Sequence, residues 1–208
     1  MESTNKFYKK IINNLNSEKK FIKKNKKYYY YKDIKNFILS LKIEIGTEKS
    51  KTLRICTLSN KSFEFYSSII GILLTKNIWI PLDGNLPNKI LTYIIKKSKA
   101  DLILVDNENE KKFKLYLKKN NLNYLNIEKL KIKKFKSQSF QFVSNYNADD
   151  PAIIFFTSGS TSLPKGVILS NRNFISSFYG QAKHIYSKFK KKNFVFGDYY
   201  NSSFIIIL

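Results

Sequence analysis

The sequence DDPAIIFFTSGSTSLPKGVILSNRN, which runs from Asp149 to Asn173, joins apolar runs, a loop of small residues and a lysine. Ile153 to Phe156 predict a β-strand, and Val167 to Leu169 predict a second one. Between them, residues 157–161 are all hydroxyl-bearing or glycine, and Lys165 follows shortly after. Such a loop can direct several N–H groups and hydroxyls at one anion, with the lysine ammonium adding positive charge. The stretch therefore predicts a strand, an anion-binding loop and a second strand.

Apolar segments upstream of this stretch alternate between strand-like and helix-like patterns. Runs of the strand type cover 53–58, 78–80 and 102–105. Between them, apolar residues recur at helical spacing over 63–74 and 90–95. Helices of that length between strands are typical of parallel strands joined by crossovers. The sequence predicts an α/β fold with mainly parallel sheets and helices on both faces.

The same patterns divide the chain into three parts. Residues 1–27 are rich in Lys and Asn, and we expect a weakly structured basic leader there. Residues 28–147 are predicted to form an α/β subdomain with a polar connector near 131–147. Residues 148–208 are predicted to supply a strand, the phosphate-binding loop, a strand and a helix. Because the chain ends on an apolar run, 204–208, we expect an incomplete second α/β subdomain.

Lysine dominates the charge of the chain. There are 38 basic residues against 15 acidic ones, a net charge of +23, yet only Arg54 and Arg172 are arginine. Specific nucleic-acid contacts favour arginine, and the lysines are spread along the chain, so we interpret the charge as compositional bias. A basic nucleic-acid-binding protein stays the less favoured hypothesis. Cys56 is the only cysteine, which excludes an internal disulfide, and no apolar run approaches the roughly 18 residues of a membrane span. We expect a cytoplasmic protein with no membrane span.

Two other loop chemistries do not fit residues 157–166. A Walker A motif needs G-x-x-x-x-G-K-[ST], whereas Pro164 and Gly166 flank Lys165 here. Ser162 and Lys165 satisfy S-x-x-K, but Pro164 interrupts the helix that this nucleophile pair requires. On composition alone, a mobile Ser/Gly hairpin without a ligand stays open as an alternative.

The motif TSGSTSLPKGV, followed by LSNRN, resembles the phosphate-binding signature of the adenylate-forming (AMP-dependent) synthetase and ligase family. In that family a TSGSTG-x-PKG loop wraps the phosphates of ATP. Other segments resemble family elements in the same order along the chain: YKDI from Tyr31, NKSFEF from Asn60, GIL from Gly71 and IWIPLD from Ile78. The resemblance extends from about residue 21 to the C-terminus.

The resemblance implies which residues contact the phosphates of ATP: Thr157, Ser158, Gly159, Ser160, Thr161 and Lys165. It also implies that ATP, with Mg²⁺, activates a carboxylic acid as an acyl adenylate and releases pyrophosphate. The acyl group then passes to a thiol acceptor, either coenzyme A or a carrier protein. Donors and a cation near the β- and γ-oxygens would stabilise the leaving charge. No metal ligand is predicted, because we interpret Asp149, Asp150 and Asp198 as turn or capping groups and His184 as a structural residue.

Three departures from the family pattern limit what the resemblance implies. Ser162 replaces the second glycine of the loop, and Lys76-Asn77 replace a Gly-Gly pair. The 208 residues also lack the family's adenine-binding aromatic segment, Mg²⁺-associated T-x-E, ribose-binding aspartate and catalytic lysine. We therefore expect a truncated N-terminal portion of such a ligase, which is inactive alone. Either a downstream chain completes the fold, or the gene is a remnant. A non-catalytic module that binds ATP or a partner is the alternative.

Overall fold

The computed structural model describes residues 2–15, 17–24, 27–46, 51–135, 145–157, 163–189 and 205–206. The helices in these ranges are α1 Glu2–Asn14, α2 Tyr31–Ile45, α3 Phe63–Leu74, α4 Asn88–Ser98, α5 Asn107–Lys119 and α6 Asn171–Phe189. The strands are β1 Lys20–Lys24, β2 Lys27–Tyr30, β3 Arg54–Leu58, β4 Ile78–Pro81, β5 Leu102–Val105, β6 Tyr124–Asn126, β7 Pro151–Thr157, β8 Lys165–Ser170 and β9 Ile205–Ile206.

A six-stranded sheet is the centre of the fold. Its strand order is β6-β5-β3-β4-β7-β8, and every neighbouring pair is parallel except β7 and β8, which are antiparallel. A second, antiparallel sheet has the order β2-β1-β9. The prediction of a mainly parallel α/β fold is therefore confirmed. The antiparallel return of β8 follows from the short connection at 158–164, because a parallel return needs a crossover of a dozen or more residues.

Helices cover both faces of the large sheet. Side chains of α1, α2, α3 and α6 pack in one buried cluster, and side chains of α4 and α5 pack in another. Strand β3 contributes to both clusters, since Ile55 faces the first and Cys56 faces the second. Because both faces of the sheet are covered, residues 55–58 of β3 are all buried instead of alternating between buried and exposed positions.

The N-terminal segment departs from the expected weakly structured leader. Residues 2–14 form helix α1, and its Phe7, Tyr8 and Ile11 are buried, as is Leu15 just after the helix. The expectation is wrong for this segment because its apolar residues lie at helical spacing and have a partner. That partner is α6, which the fold brings against α1 from the far end of the sequence.

The expected boundary at residue 148 does not separate two sheets. Strands β7 and β8 extend the sheet that holds β3 to β6, with Trp79 of β4 paired to Ile153 of β7. The described part of 148–208 is therefore continuous with the preceding subdomain. The connector also contacts the core on its N-terminal side, where the Lys133 N–H donates to Ser40 Oγ at 2.8 Å. Across the described residues, no helix is long and apolar enough to cross a membrane.

Candidate functional site

The segment predicted to bind an anion lies at the turn of the β7–β8 hairpin. The strand pairing places Phe156 opposite Gly166 and Thr157 opposite Lys165. Thr157 and Lys165 are both exposed, so a hydroxyl and an ammonium meet solvent at the mouth of the loop. The other predicted contact residues, Ser158, Gly159, Ser160 and Thr161, lie outside the described residues, as does Ser162. The structure thus brings together the two ends of the predicted site.

The mouth of the loop lies at the carboxyl edge of the parallel strands. Strand β7 ends at Thr157 on the same edge at which β4 ends at Pro81 and β3 ends at Leu58. Ligands of open α/β sheets bind in the crevice outside the carboxyl ends of the strands. The position of the hairpin therefore agrees with a ligand-binding role for its loop.

Aromatic packing holds the hairpin on the sheet. Trp79 of β4 meets Phe155 of β7 edge to face, with ring centroids 6.0 Å apart. The Trp79 indole N–H donates to the Thr57 hydroxyl of β3 at 2.9 Å, in a buried position. Three strands are thereby joined through side chains as well as through backbone hydrogen bonds. This gives the loop a rigid support, which a site on a mobile segment would lack.

Capping groups define the other end of the hairpin, where β8 leads into α6. The Asn173 N–H donates to Ser170 Oγ at 3.3 Å, and the Ser170 hydroxyl donates back to Asn173 Oδ1 at 2.6 Å. The carboxylate of Asp149 forms an exposed ion pair of 2.9 Å with Arg172, and the carbonyl of Asp150 accepts from the Asn171 N–H at 3.0 Å. Asp149 thus contacts the start of the helix through its side chain, and Asp150 does so through its backbone carbonyl. The side chain of His184 and all of Asp198 lie outside the described residues.

A second polar group at the same sheet edge is centred on Asp106, directly after β5. Its buried carboxylate accepts from the Asn109 N–H at 2.7 Å, which caps α5, and from the Asn60 N–H at 2.6 Å, which follows β3. We interpret the group as structural, because both donors are backbone N–H groups, one at the start of α5 and one just after β3. Sequence reasoning missed it, although an aspartate between a strand and a helix is a typical N-cap signal. Among the described residues, no three His, Cys, Asp or Glu side chains form a group suited to a metal.

A family model described as AMP-binding enzyme matches residues 30–203. The chain therefore belongs to the AMP-binding enzyme family. The matched range contains the large sheet, the hairpin and its loop.

Individual relatives and solved structures are also similar to this chain, and the solved structures share its fold. The chain is 32% identical to polyketide synthase-nonribosomal peptide synthetase phmA of Phaeosphaeria nodorum over 127 residues, which are 60% of this chain and 3% of that protein. It is similar to the structure of a fatty acyl-adenylate ligase from L. pneumophila in complex with acyl adenylate and pyrophosphate, with a TM-score of 0.66, 22% identity, and coverage of 89% of this chain and 34% of that chain. It is also similar to the N-terminal subdomain of Klebsiella oxytoca NpsA in complex with 3-hydroxyanthranilyl-AMSN, with a TM-score of 0.60, 16% identity, and coverage of 81% of this chain and 40% of that chain.

Proposed function

We propose that this chain is part of an ATP-dependent ligase that activates a carboxylic acid as an acyl adenylate and releases pyrophosphate. The proposal is carried by one observation: the family match spans the TSGSTSLPKG loop, and the hairpin places Thr157 opposite Lys165 at the mouth of that loop. Similarity to a fatty acyl-adenylate ligase and to a polyketide synthase-nonribosomal peptide synthetase supports the same class of reaction.

In this proposal the loop holds the leaving phosphates of ATP. Lys165 supplies a positive charge to the β- and γ-oxygens, and the Thr157 hydroxyl donates to one of them. Residues 158–161 add further hydroxyl and backbone N–H donors. Stabilising the negative charge that develops on pyrophosphate lowers the barrier for attack of the carboxylate on the α-phosphorus.

Magnesium and the thiol acceptor belong to the proposed function of the whole enzyme. Mg²⁺ would neutralise phosphate charge, and the described residues contain no cluster of three or more His, Cys, Asp or Glu side chains suited to a metal. The acceptor of the acyl group is a thiol, either coenzyme A or a carrier protein. The chain spans 34% of the L. pneumophila ligase chain and 40% of the NpsA chain. We propose that these 208 residues, assayed by themselves, do not complete the reaction.

Titration with a fluorescent, non-hydrolysable ATP analogue tests the phosphate site. Lys165→Ala is expected to weaken binding about tenfold or more, since a hydrogen bond to a charged group contributes roughly 1.5–3 kcal/mol. Lys118→Ala is the matched control, because Lys118 is also exposed and is far from the loop. It lies on α5, which precedes β6, and β6 and β8 are the two outermost strands of the sheet. Equal weakening by both substitutions, together with a steep dependence on salt, would instead indicate non-specific polyanion binding.

Pyrophosphate exchange tests the catalytic part of the proposal. The purified chain is incubated with ATP, Mg²⁺, labelled pyrophosphate and a panel of fatty, aromatic and amino acids. No exchange above background is expected with these 208 residues alone. Robust exchange with any acid would support the ligase reaction and contradict the proposed inactivity of the chain in isolation.

A further inference from the structure

Helix α1 contacts the base of the hairpin through a buried hydrogen bond. The Tyr8 hydroxyl donates to Asn171 Oδ1 at 2.6 Å, across a sequence separation of 163 residues. Both side chains are buried, with exposed fractions of 1% for Tyr8 and 8% for Asn171. A buried amide oxygen without a donor is unfavourable, so the Tyr8 hydroxyl stabilises the observed orientation of the Asn171 side chain.

Asn171 joins the segment that precedes β7 to the segment that follows β8. It is the first residue of α6, directly after β8. Its backbone N–H donates to the carbonyl of Asp150, next to β7, at 3.0 Å. Its side-chain amide donates to the carbonyl of Asn147 at 2.8 Å. With its oxygen bound by Tyr8, the Asn171 amide has a partner for both its oxygen and its nitrogen. Asn171 therefore joins the two ends of the hairpin through its backbone and its side chain, beside a backbone bond from the Arg172 N–H to the Ala148 carbonyl at 2.8 Å.

The contacts of Asn171 matter at the base of the hairpin, where β7 begins and β8 ends, because the pairing of the two strands is irregular there. The pairing of β7 with β8 shifts between Pro151 and Ile153 and is regular from Ile153 to Thr157. In a strand pair, a slip of one residue turns every side chain to the opposite face. Such a slip would move Lys165 away from its place opposite Thr157. Restraint at the base therefore contributes to the geometry at the loop.

We propose that Tyr8 is a positioning residue for the phosphate loop. Its hydroxyl orients Asn171, Asn171 closes the base of the β7–β8 hairpin, and the hairpin holds Thr157 opposite Lys165. The role in phosphate binding rests on the proposed function, whereas the role in closing the hairpin rests on the contacts of Asn171 alone.

Tyr146 offers a matched control in the same aromatic pair. Its ring stacks on that of Tyr8 with centroids 4.0 Å apart. Its hydroxyl donates to the carbonyl of Leu74, on α3, at 2.9 Å and in a buried position. Tyr146→Phe and Tyr8→Phe each remove one buried hydroxyl bond and keep the stacked rings. Only Tyr8→Phe removes a contact with α6.

Hydrogen exchange measured by mass spectrometry tests the hairpin itself. In Tyr8→Phe, peptides that cover 151–157 and 165–171 are expected to exchange about fivefold faster than in the wild-type chain, because loss of the hydroxyl bond favours local opening. In Tyr146→Phe the same peptides are expected to exchange within about twofold of wild type. Equal exchange of these peptides in the two variants would overturn the proposal.

Affinity for the ATP analogue tests the link to the loop. Under conditions in which all variants are fully folded, Tyr8→Phe is expected to weaken binding about threefold, while Tyr146→Phe leaves it unchanged. A purely structural role would lower the unfolding midpoint of both variants without changing either dissociation constant. If the wild-type chain binds no analogue, the proposed function fails and the exchange data still decide whether Tyr8 closes the hairpin.

Discussion

The ring of Phe156 lies across the hairpin against the backbone of Gly166, its partner in the ladder. A Cβ atom placed on Gly166 would come within 3.2 Å of Phe156 Cζ and 3.3 Å of Cε1, which is closer than ordinary van der Waals contact. The ring is half-buried and packs on the cluster formed with α4 and α5. The glycine of the Pro-Lys-Gly sequence is therefore part of the packing next to the loop as well as part of the motif.

Gly166→Ala is expected to lower the free energy of unfolding by about 1 kcal/mol, because the ring must move out of its packed position. Urea denaturation measures the change. In a Phe156→Ala background the ring is absent, and the same substitution is expected to cost close to nothing. A full cost that persists in that background would contradict the explanation.

Gly180→Ala provides a control of opposite sign. Gly180 lies within α6 and is exposed, and among the described residues no atom beyond its chain neighbours and the backbone of its own helix lies within 4 Å of an added Cβ. Alanine in a helix interior is better than glycine by roughly 0.5–1 kcal/mol. We therefore expect this substitution to raise the free energy of unfolding.

Lys76 occupies the left-handed backbone region, with φ of 57°, just after α3. The sequence comparison with the family already indicated a glycine at this position. Lys76→Gly is expected to raise the free energy of unfolding by about 0.5–1 kcal/mol, since glycine adopts this conformation without the steric cost of a Cβ atom. The measurement is again urea denaturation.

Lys76→Ala separates the backbone effect from the effect of charge. The Lys76 ammonium lies 5.7 Å from the centre of the Tyr146 ring, so both substitutions lose that contact. Alanine keeps the Cβ atom and gains nothing from the left-handed conformation. If the glycine and alanine variants had the same stability, backbone strain at Lys76 would not be the cause.

Asp106 joins β3, β5 and α5 through its carboxylate, which also accepts from Asn109 Nδ2 at 2.9 Å. Asp106→Ala is expected to lower the free energy of unfolding by about 2–3 kcal/mol, because it removes a helix cap and leaves the Asn60 N–H without its acceptor. Thermal or chemical unfolding measures the change.

Asp83 serves as the matched control for that prediction. It follows β4, and its carboxylate accepts from the Asn85 N–H at 2.9 Å in an exposed turn. Asp83→Ala is expected to cost less than about 0.5 kcal/mol, since water can replace the lost acceptor. Similar losses for Asp83→Ala and Asp106→Ala would show that burial at Asp106 has no special effect.

Cys56 is expected to be unreactive in the folded protein. Burial raises the pKa of its thiol to about 12, although a hydrogen bond with Ser98 lowers it in part. At pH 8 a thiol-specific reagent should therefore label the chain in denaturant and not in buffer, because the thiolate is the reactive form. Rapid labelling of the folded chain would contradict this.

The same thiol makes stability depend on pH. An unfolded cysteine has a pKa of about 8.5, so the unfolded chain releases this proton well before the folded chain does. The contribution to stability is complete below about pH 8.5 and is lost as the pH rises toward 12. Between pH 7 and 9.5, the free energy of unfolding of the wild-type chain is expected to fall more steeply than that of Cys56→Ala. Parallel curves for the two proteins would contradict the raised pKa.

Local patterns predicted most of the elements of this fold. The helical spacing over 63–74 predicts α3, and the apolar runs at 53–58 and 102–105 predict β3 and β5, which the structure confirms. These signals are strong because each element buries a face whose period is visible in its own residues. The strands on both sides of the loop were likewise predicted from neighbouring residues.

The sequence by itself determined the fold class, the family-like loop and the identity of the residues at its ends, Thr157 and Lys165. Only the tertiary structure decided that α1 packs on α6, that β7 and β8 extend the first sheet, and that Tyr8 contacts Asn171. The physical reason is the range of the interactions. Periodicity and caps depend on residues a few positions apart, whereas these contacts depend on which buried surfaces meet when distant segments pack together.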